Sequence, residues 1–512
     1  MTAGSAGVEH KAQLARLARR GTASVVGAGF SAVSGVALVV IVTNGFSPAL
    51  AGSFFAATSA FLILESVVLL GSDTGLVRWL PAHLVSGRAQ DVRGTLTVSL
   101  APVLALAVVG AAALFVAAPQ LAPIMVGDEQ AEAMTTLLQV LAIVLPVAAM
   151  HDAVLAATRG MGSMRPTVVV ENIGRHALQA AAVLVVYLAG AGALALVLAW
   201  SLPYELALVF AAAWLSVLVR RRAGAETGPA RDRRVIAREF WWFTAPRAIA
   251  RITQTALKRS DIILVAALSS PTDAALYTAA TRFVVFGQLI VQSVQQALAP
   301  HLSALFARDD VDGARSIFQA ATVWSMLLAW PIYLVIAGFA PSLMTIFGSG
   351  YEDAYDVVVI LSLTMLFATA CGPVDSVLLM AGRSWLSLFN NVVALVVNLA
   401  LNFLLIPAYG ILGAAIAWAI AIGVRNVLPL VQVQRGLGLW PGTVASAYVA
   451  AGSLMCFGLP AGAAQIAGFS TVASAVFVAF GGVVYVAGMW LLRGPLGLEA
   501  FRAALKRRGS RA

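Results

Sequence analysis

The chain has 512 residues, 60% of them hydrophobic and only 11% charged, with a formal net charge of +10 at pH 7. Soluble domains are typically about a quarter charged, so this composition excludes an ordinary soluble enzyme or binding domain and indicates a polytopic membrane protein. The two cysteines, Cys371 and Cys456, lie in apolar runs without metal-ligand spacing, so neither a disulfide framework nor a metal site is expected.

Residues 8–20 (VEHKAQLARLARR) are a basic, helix-compatible lead-in, and residues 1–20 read as a basic cytoplasmic segment. The apolar run after it has full span length and no convincing cleavage site, so it reads as a retained first helix. A helix needs roughly 20 apolar residues to cross a bilayer. Crossing helices are accordingly expected near 22–43, 50–71, 95–117, 135–157, 167–189, 192–218, 245–270, 275–300, 318–340, 355–381, 385–407, 411–433, 443–463 and 468–492. The predicted fold is all-α, with about fourteen transmembrane helices. Six form an N-lobe at 21–219 and six a C-lobe at 240–434, joined by a basic cytoplasmic linker at 220–239. Two further helices fill 435–492, and a basic cytoplasmic tail occupies 493–512.

Charge placement supports this topology. Of the 33 Lys and Arg residues, Arg175, Arg247, Arg251, Lys258, Arg259, Arg282 and Arg425 fall within predicted spans, and all the others lie in segments on one side. Loops on the other side carry Asp128, Glu129, Glu132, Asp273, Glu352, Asp353 and Asp356. Positive charge collects on cytoplasmic loops, so both termini are expected in the cytoplasm and the chain in the cytoplasmic membrane. Topology and anionic lipid account for the basic balance, and no nucleic-acid partner is required. The halves also echo each other. Pro48, Ala51, Ala56, Ala57 and Thr58 recur in order as Pro271, Ala274, Ala279, Ala280 and Thr281, and Gly192, Leu194, Ala199 and Trp200 as Gly410, Leu412, Ala417 and Trp418. Repeats of six helices share orientation, which implies a parallel repeat with a site between lobes.

The stretch from Trp241 to Arg308 departs most from lipid chemistry. At 100° per residue, Arg247, Arg251, Gln254, Lys258 and Asp261 fall within about 40° of one line, and Gln288, Gln292 and Gln295 share a face of the next helix. A charge at mid-membrane costs at least ~2.5–3.5 kcal/mol on insertion scales, so such residues usually face a bundle interior or wet cavity. Pro246 fits the start of the seventh helix. Catalytic signatures (a phosphate-binding P-loop, HExxH, CxxC) are missing from the sequence, and no catalytic residue or cofactor is expected.

The segment RSDIILVAALSSPTDAALYTAATRFVVFGQLIVQSVQQALAPHLSALFARDD resembles the start of the second lobe in prokaryotic polysaccharide exporters. NNVVALVVNLALNFLLIPAYGILGAAIAWAIA resembles their eleventh and twelfth helices. These proteins belong to the multidrug/oligosaccharidyl-lipid/polysaccharide exporter superfamily, with O-antigen-type flippases as the nearest branch. The resemblance implies a V-shaped pair of lobes, alternating access, and transfer of an undecaprenyl-pyrophosphate-linked oligosaccharide between leaflets. Membrane lipids, and a glycan polymerase or glycosyltransferases, would be its partners.

On that footing the cations Arg247, Arg251, Lys258 and, off the row, Arg259 are expected to hold the pyrophosphate, against the alternative that they snorkel to lipid phosphates. Arg282 would meet substrate during release or pair with an acid. Gln254, Gln288, Gln292, Asn391 and Asn398 suit sugar hydroxyls, or equally interhelical hydrogen bonds. Arg175 reads as an ion pair with Glu171, or as the first lobe's counterpart of Lys258. Glu65, Asp261 and Asp375 are the candidates for proton or sodium coupling. Two rival functions remain open: a cation-coupled multidrug antiporter, and a non-transporting scaffold of a glycan-synthesis complex. Lipid II is another candidate cargo.

Overall fold

The computed structural model describes residues 26–223, 231–466 and 471–494. The expected N-terminal segment 1–20, the middle of the 220–239 linker and nearly all of the 493–512 tail lie outside the described residues. Every regular element described is helical. Two compact units emerge: one comprises Val26–Ala279 with Asn398–Ala414, the other Ala280–Val397 with the chain from Ala415 onward.

The first unit contains α1 (Val26–Gly45), α2 (Pro48–Val68), α3 (Ser72–Val85), α4 (Asp91–Val126), α5 (Ala131–Gly160), α6 (Thr167–Leu188), α7 (Ala193–Ala223), α8 (Arg233–Leu268) and most of α9 (Pro271–Thr281). In lipid the hydrophobic effect does not drive helices together; close packing and hydrogen bonds do. α2 is built for this. Its buried residues include Ala51, Gly52, Ser53, Ala56 and Ala57, and an added Cβ at Gly52 would sit 1.6 Å from the Pro271 carbonyl oxygen. The α9 backbone therefore presses directly on α2. Below this contact Phe61 meets Trp200 edge-on at 5.7 Å and Tyr204 at 6.3 Å, each such pair being worth about 0.5–1.5 kcal/mol beyond its buried area.

The second unit contains α10 (Val284–Phe306), α11 (Val311–Gly338), α12 (Tyr355–Ala370), α13 (Val374–Met380), much of α14 (Ser384–Leu437), α15 (Val444–Ala463) and α16 (Thr471–Leu491). Phe318, Val377, Leu378 and Val433 anchor one of its apolar clusters.

Eleven described helices are long and apolar enough to cross a membrane, or twelve if α9 and α10, bent by 43°, form one span. The expected count of about fourteen is not reproduced, for two physical reasons. The 54-residue helical stretch α14 is two helices that meet at a kink, so the eleventh and twelfth predicted helices, expected at 385–407 and 411–433, are both present but count as one. Gly410 breaks it at φ 54°, ψ −133°, a conformation essentially restricted to glycine. α8 holds Arg251, Lys258, Arg259 and Asp261 within eleven residues and is too polar to resemble an ordinary span. α8 also corrects the reading of Pro246, which lies inside the helix rather than at its start. The helix begins at Arg233, where the Asp232 carboxylate accepts from the Arg234 amide at 2.9 Å, a side-chain cap stronger than proline's preference for the first turn.

Candidate functional site

The row on α8 does not keep one character along its length. Arg247, Gln254 and Lys258 are exposed, Arg251 and Arg259 are half-buried, and Asp261 is buried. Arg251 Nη1 donates to the Asp73 carboxylate and Nη2 to Asp152 Oδ2 at 3.2 Å. Asp73 opens α3 and Asp152 lies on α5, so one guanidinium fastens three helices. Asp261 accepts from Asn402 Nδ2 at 2.8 Å and from the Tyr277 hydroxyl at 3.3 Å. Asn398, one turn before Asn402, is buried and accepts from Ser260 at 3.5 Å.

A second polar cluster rests on α6, whose first nine residues, Thr167–Arg175, wind as a π-helix. π-turns widen the helix and often mark functional sites. Here the turn presents Glu171 to two partners, Arg175 Nε at 2.7 Å and His151 Nε2 at 2.8 Å. Arg175 Nη1 also donates to Gln179 Oε1 at 2.9 Å, and its guanidinium carbon lies 4.3 Å from the Tyr204 ring centroid. Gln179 in turn donates to the Trp200 carbonyl at 2.8 Å. Arg175 is thus saturated by partners inside the unit. Glu65 is buried on α2, in the field of Asp152, Arg251, Arg175 and Glu171.

The remaining predicted residues belong to the second unit. Gln288 Nε2 lies 3.9 Å from Met365 Sδ, and Gln292 is exposed. Arg282 is half-buried, with Nη2 donating to Thr281 Oγ1 at 3.3 Å. Asn391 is buried and donates to the Ser387 carbonyl at 2.7 Å, while Asp375 accepts from the Ser387 hydroxyl. Asn391 and Asn398 align along the sequence of α14, but the two compact units divide between them.

Sequence reasoning missed the acids that neutralise Arg251, because Asp73 and Asp152 stand 178 and 99 residues away from it. It also missed a latch. Arg231 donates through its backbone N and Nε to the two oxygens of Asp91, at 3.0 and 2.7 Å, and through Nη1 to both oxygens of Glu239 at 3.1 Å. The hydrogen bond to Asp91 holds the Arg231 guanidinium above its ordinary pKa. Nearby His83 is buried with Nε2 3.0 Å from Thr95 Oγ1, and burial pushes its imidazole below the ordinary value. Among the described residues no cluster of three or more His, Cys, Asp or Glu is placed to hold a metal ion.

Solved structures share this fold. The lipid II flippase MurJ in an inward closed conformation superimposes with a TM-score of 0.72 at 12% identity, covering 92% of this chain and 98% of that one. An inward-facing multidrug resistance MATE family transporter of the MOP superfamily gives a TM-score of 0.66 at 15% identity, covering 80% of this chain and 94% of the other. In sequence, the chain is 27% identical over 169 residues to the probable low-salt glycan biosynthesis flippase Agl15 of Haloferax volcanii. That match spans about a third of each protein, 33% of this chain and 36% of the relative. A family model described as polysaccharide biosynthesis protein matches residues 54–356, more than half of the chain. The protein belongs to that polysaccharide biosynthesis family.

Proposed function

We propose that this multi-pass membrane protein is a transporter, not an enzyme, that flips a lipid-pyrophosphate-linked oligosaccharide across the cytoplasmic membrane by alternating access. The observation that carries this reading is the exposed row Arg247, Gln254 and Lys258 on the span-length helix α8, in a chain of this family. Cations suit the pyrophosphate and amides suit sugar hydroxyls. Arg259, Arg282, Gln288, Gln292, Asn391 and Asn398 extend the proposed path. Arg251 and Arg175 are assigned to positioning, since their partners already occupy them. The lobes at 21–219 and 240–434 rock about the 220–239 linker, with both termini in the cytoplasm. A glycan polymerase or glycosyltransferases act before or after it. The name of the Haloferax relative, a glycan biosynthesis flippase, supports the cargo class, and that of MurJ keeps lipid II within it.

Two buried acids, Asp261 and Glu65, and the half-buried Asp375 favour one element of the antiporter reading, namely cation coupling. Asp261, held by Asn402 and Tyr277, is assigned as the coupling acid, with Glu65 and Asp375 as secondary candidates. The test is Lys258→Gln in the native host, with membrane level of the protein checked. Lipid-linked oligosaccharide should accumulate on the cytoplasmic leaflet at least several-fold. Normal export from a well-expressed variant would move the scaffold reading ahead.

A further inference from the structure

Where α3 faces the first half of α8, a cavity of about 380 Å³ is lined by Arg78, Trp79, Glu239, Trp242, Phe243 and Arg247. The guanidinium carbon of Arg247 lies 3.5 Å from the Phe243 ring centroid and that of Arg78 lies 4.1 Å from it. The two cations are therefore no farther apart than the sum of those distances. An aromatic face attracts a cation through its quadrupole, but one neutral ring does not cancel the repulsion between two. Among the described residues neither arginine takes part in an ion pair. Glu239, the single acid among these lining residues, has both carboxylate oxygens engaged by Arg231 at 3.1 Å. Arg247 also donates to its own turn, Nη1 to the Phe243 carbonyl at 2.8 Å, which fixes the guanidinium plane. Trp242 stands beside the pair 87% exposed, as an interfacial indole does at headgroup depth.

Two unpaired guanidinium forks across a span that one phosphoryl group bridges, next to an exposed indole, make a site for an anionic lipid head. We propose that Arg78 and Arg247 together hold the phosphoryl group of a lipid, with Trp242 against the start of its hydrocarbon. Arg78 is thereby a binding residue for which the α8 row gave no hint. Identifying that lipid with the transported cargo rests on the flippase reading; the phosphoryl site itself rests on the geometry.

The test uses the purified full chain in nanodiscs with farnesyl diphosphate as probe, and native mass spectrometry for co-purifying phosphatidylglycerol. Arg78→Gln and Arg247→Gln should each weaken farnesyl diphosphate binding about 10- to 100-fold. If only phosphatidylglycerol retention falls, the phosphoryl site stands and its occupant is a bilayer lipid. If neither changes in folded variants, the proposal is overturned. Should the Gln variants fail to fold, Arg78→Lys with Arg247→Lys keeps the charge but loses the forked donation. Unchanged binding of both lipids in that variant is equally fatal. A chain that binds farnesyl diphosphate through Arg78 yet flips no lipid-linked glycan would sink the flippase reading alone.

Discussion

At the scale of single residues, the first unit manages intramembrane charge by pairing. Arg251 sits between Asp73 and Asp152, and Arg175 between Glu171, Gln179 and Tyr204. Removing one partner of a sequestered pair leaves the other charge exposed to a poor solvent, at a cost of up to 3–5 kcal/mol where burial is complete. Arg251 keeps part of its surface, so Arg251→Gln should destabilise the protein by about 2 kcal/mol. Asp73→Asn in the same chain should then cost much less than it does alone, because the two share one interaction. Thermal unfolding of the two single variants and the double variant in detergent measures this. Simple additivity would mean that the contact carries no energy. His83 gives a pH dependence of definite sign. Burial depresses its folded-state pKa below the ordinary value, so as pH falls below about 6.5 the unfolded chain takes up the proton first. Stability contributed by neutral His83 is complete above that pH and is lost as pH drops toward the folded value. His83→Gln should therefore flatten the acid side of the stability profile. An unchanged acid limb would place the titrating group elsewhere.

At the scale of elements, what was legible in the sequence depended on how locally each feature is encoded. Apolar runs of about twenty residues identify most spanning helices because hydropathy is a property of the segment itself. The break within α14 was legible, since Pro407 and Gly410 interrupt the apolar run and separate the helices expected at 385–407 and 411–433. Gly410 makes the break: its backbone leaves the helical region at φ 54°, ψ −133°, and two helices meet there at a kink. An added Cβ there would meet nothing closer than Ser269 Oγ at 3.7 Å, so any cost of substitution is conformational rather than a clash. Gly410→Ala should cost about 1–3 kcal/mol, read as a lower unfolding temperature. A neutral outcome would mean that the break tolerates ordinary helical geometry. The start of α8 at Asp232 and the π-turn of α6, by contrast, were hidden. One depends on a cap competing with Pro246 for the first turn, the other on Glu171 finding His151 across the bundle. The cationic row on α8 was visible by periodicity, but its chemistry was not. Periodicity says which residues share a face, and only tertiary structure says which of them meet an acid.

At the scale of the whole molecule, a match over residues 54–356 gives the family, and the fold is one shared with MurJ and MATE transporters. Under the proposed transport function, the charge sign along α8 bears on the class of cargo. Along α8, Arg251 is engaged by Asp73 and Asp152, and Arg247 and Lys258 are exposed. A carrier of cationic drugs would place exposed acids on that face instead. Flipping of a lipid-linked oligosaccharide is the central claim. Its most direct measurement is leaflet redistribution of a fluorescent, polyprenyl-diphosphate-linked oligosaccharide in proteoliposomes, quenched from outside with dithionite. The full chain should carry probe between leaflets, and Lys258→Gln, correctly inserted, should slow it at least tenfold. Redistribution no faster than in protein-free vesicles, under both imposed proton and sodium gradients, would contradict it.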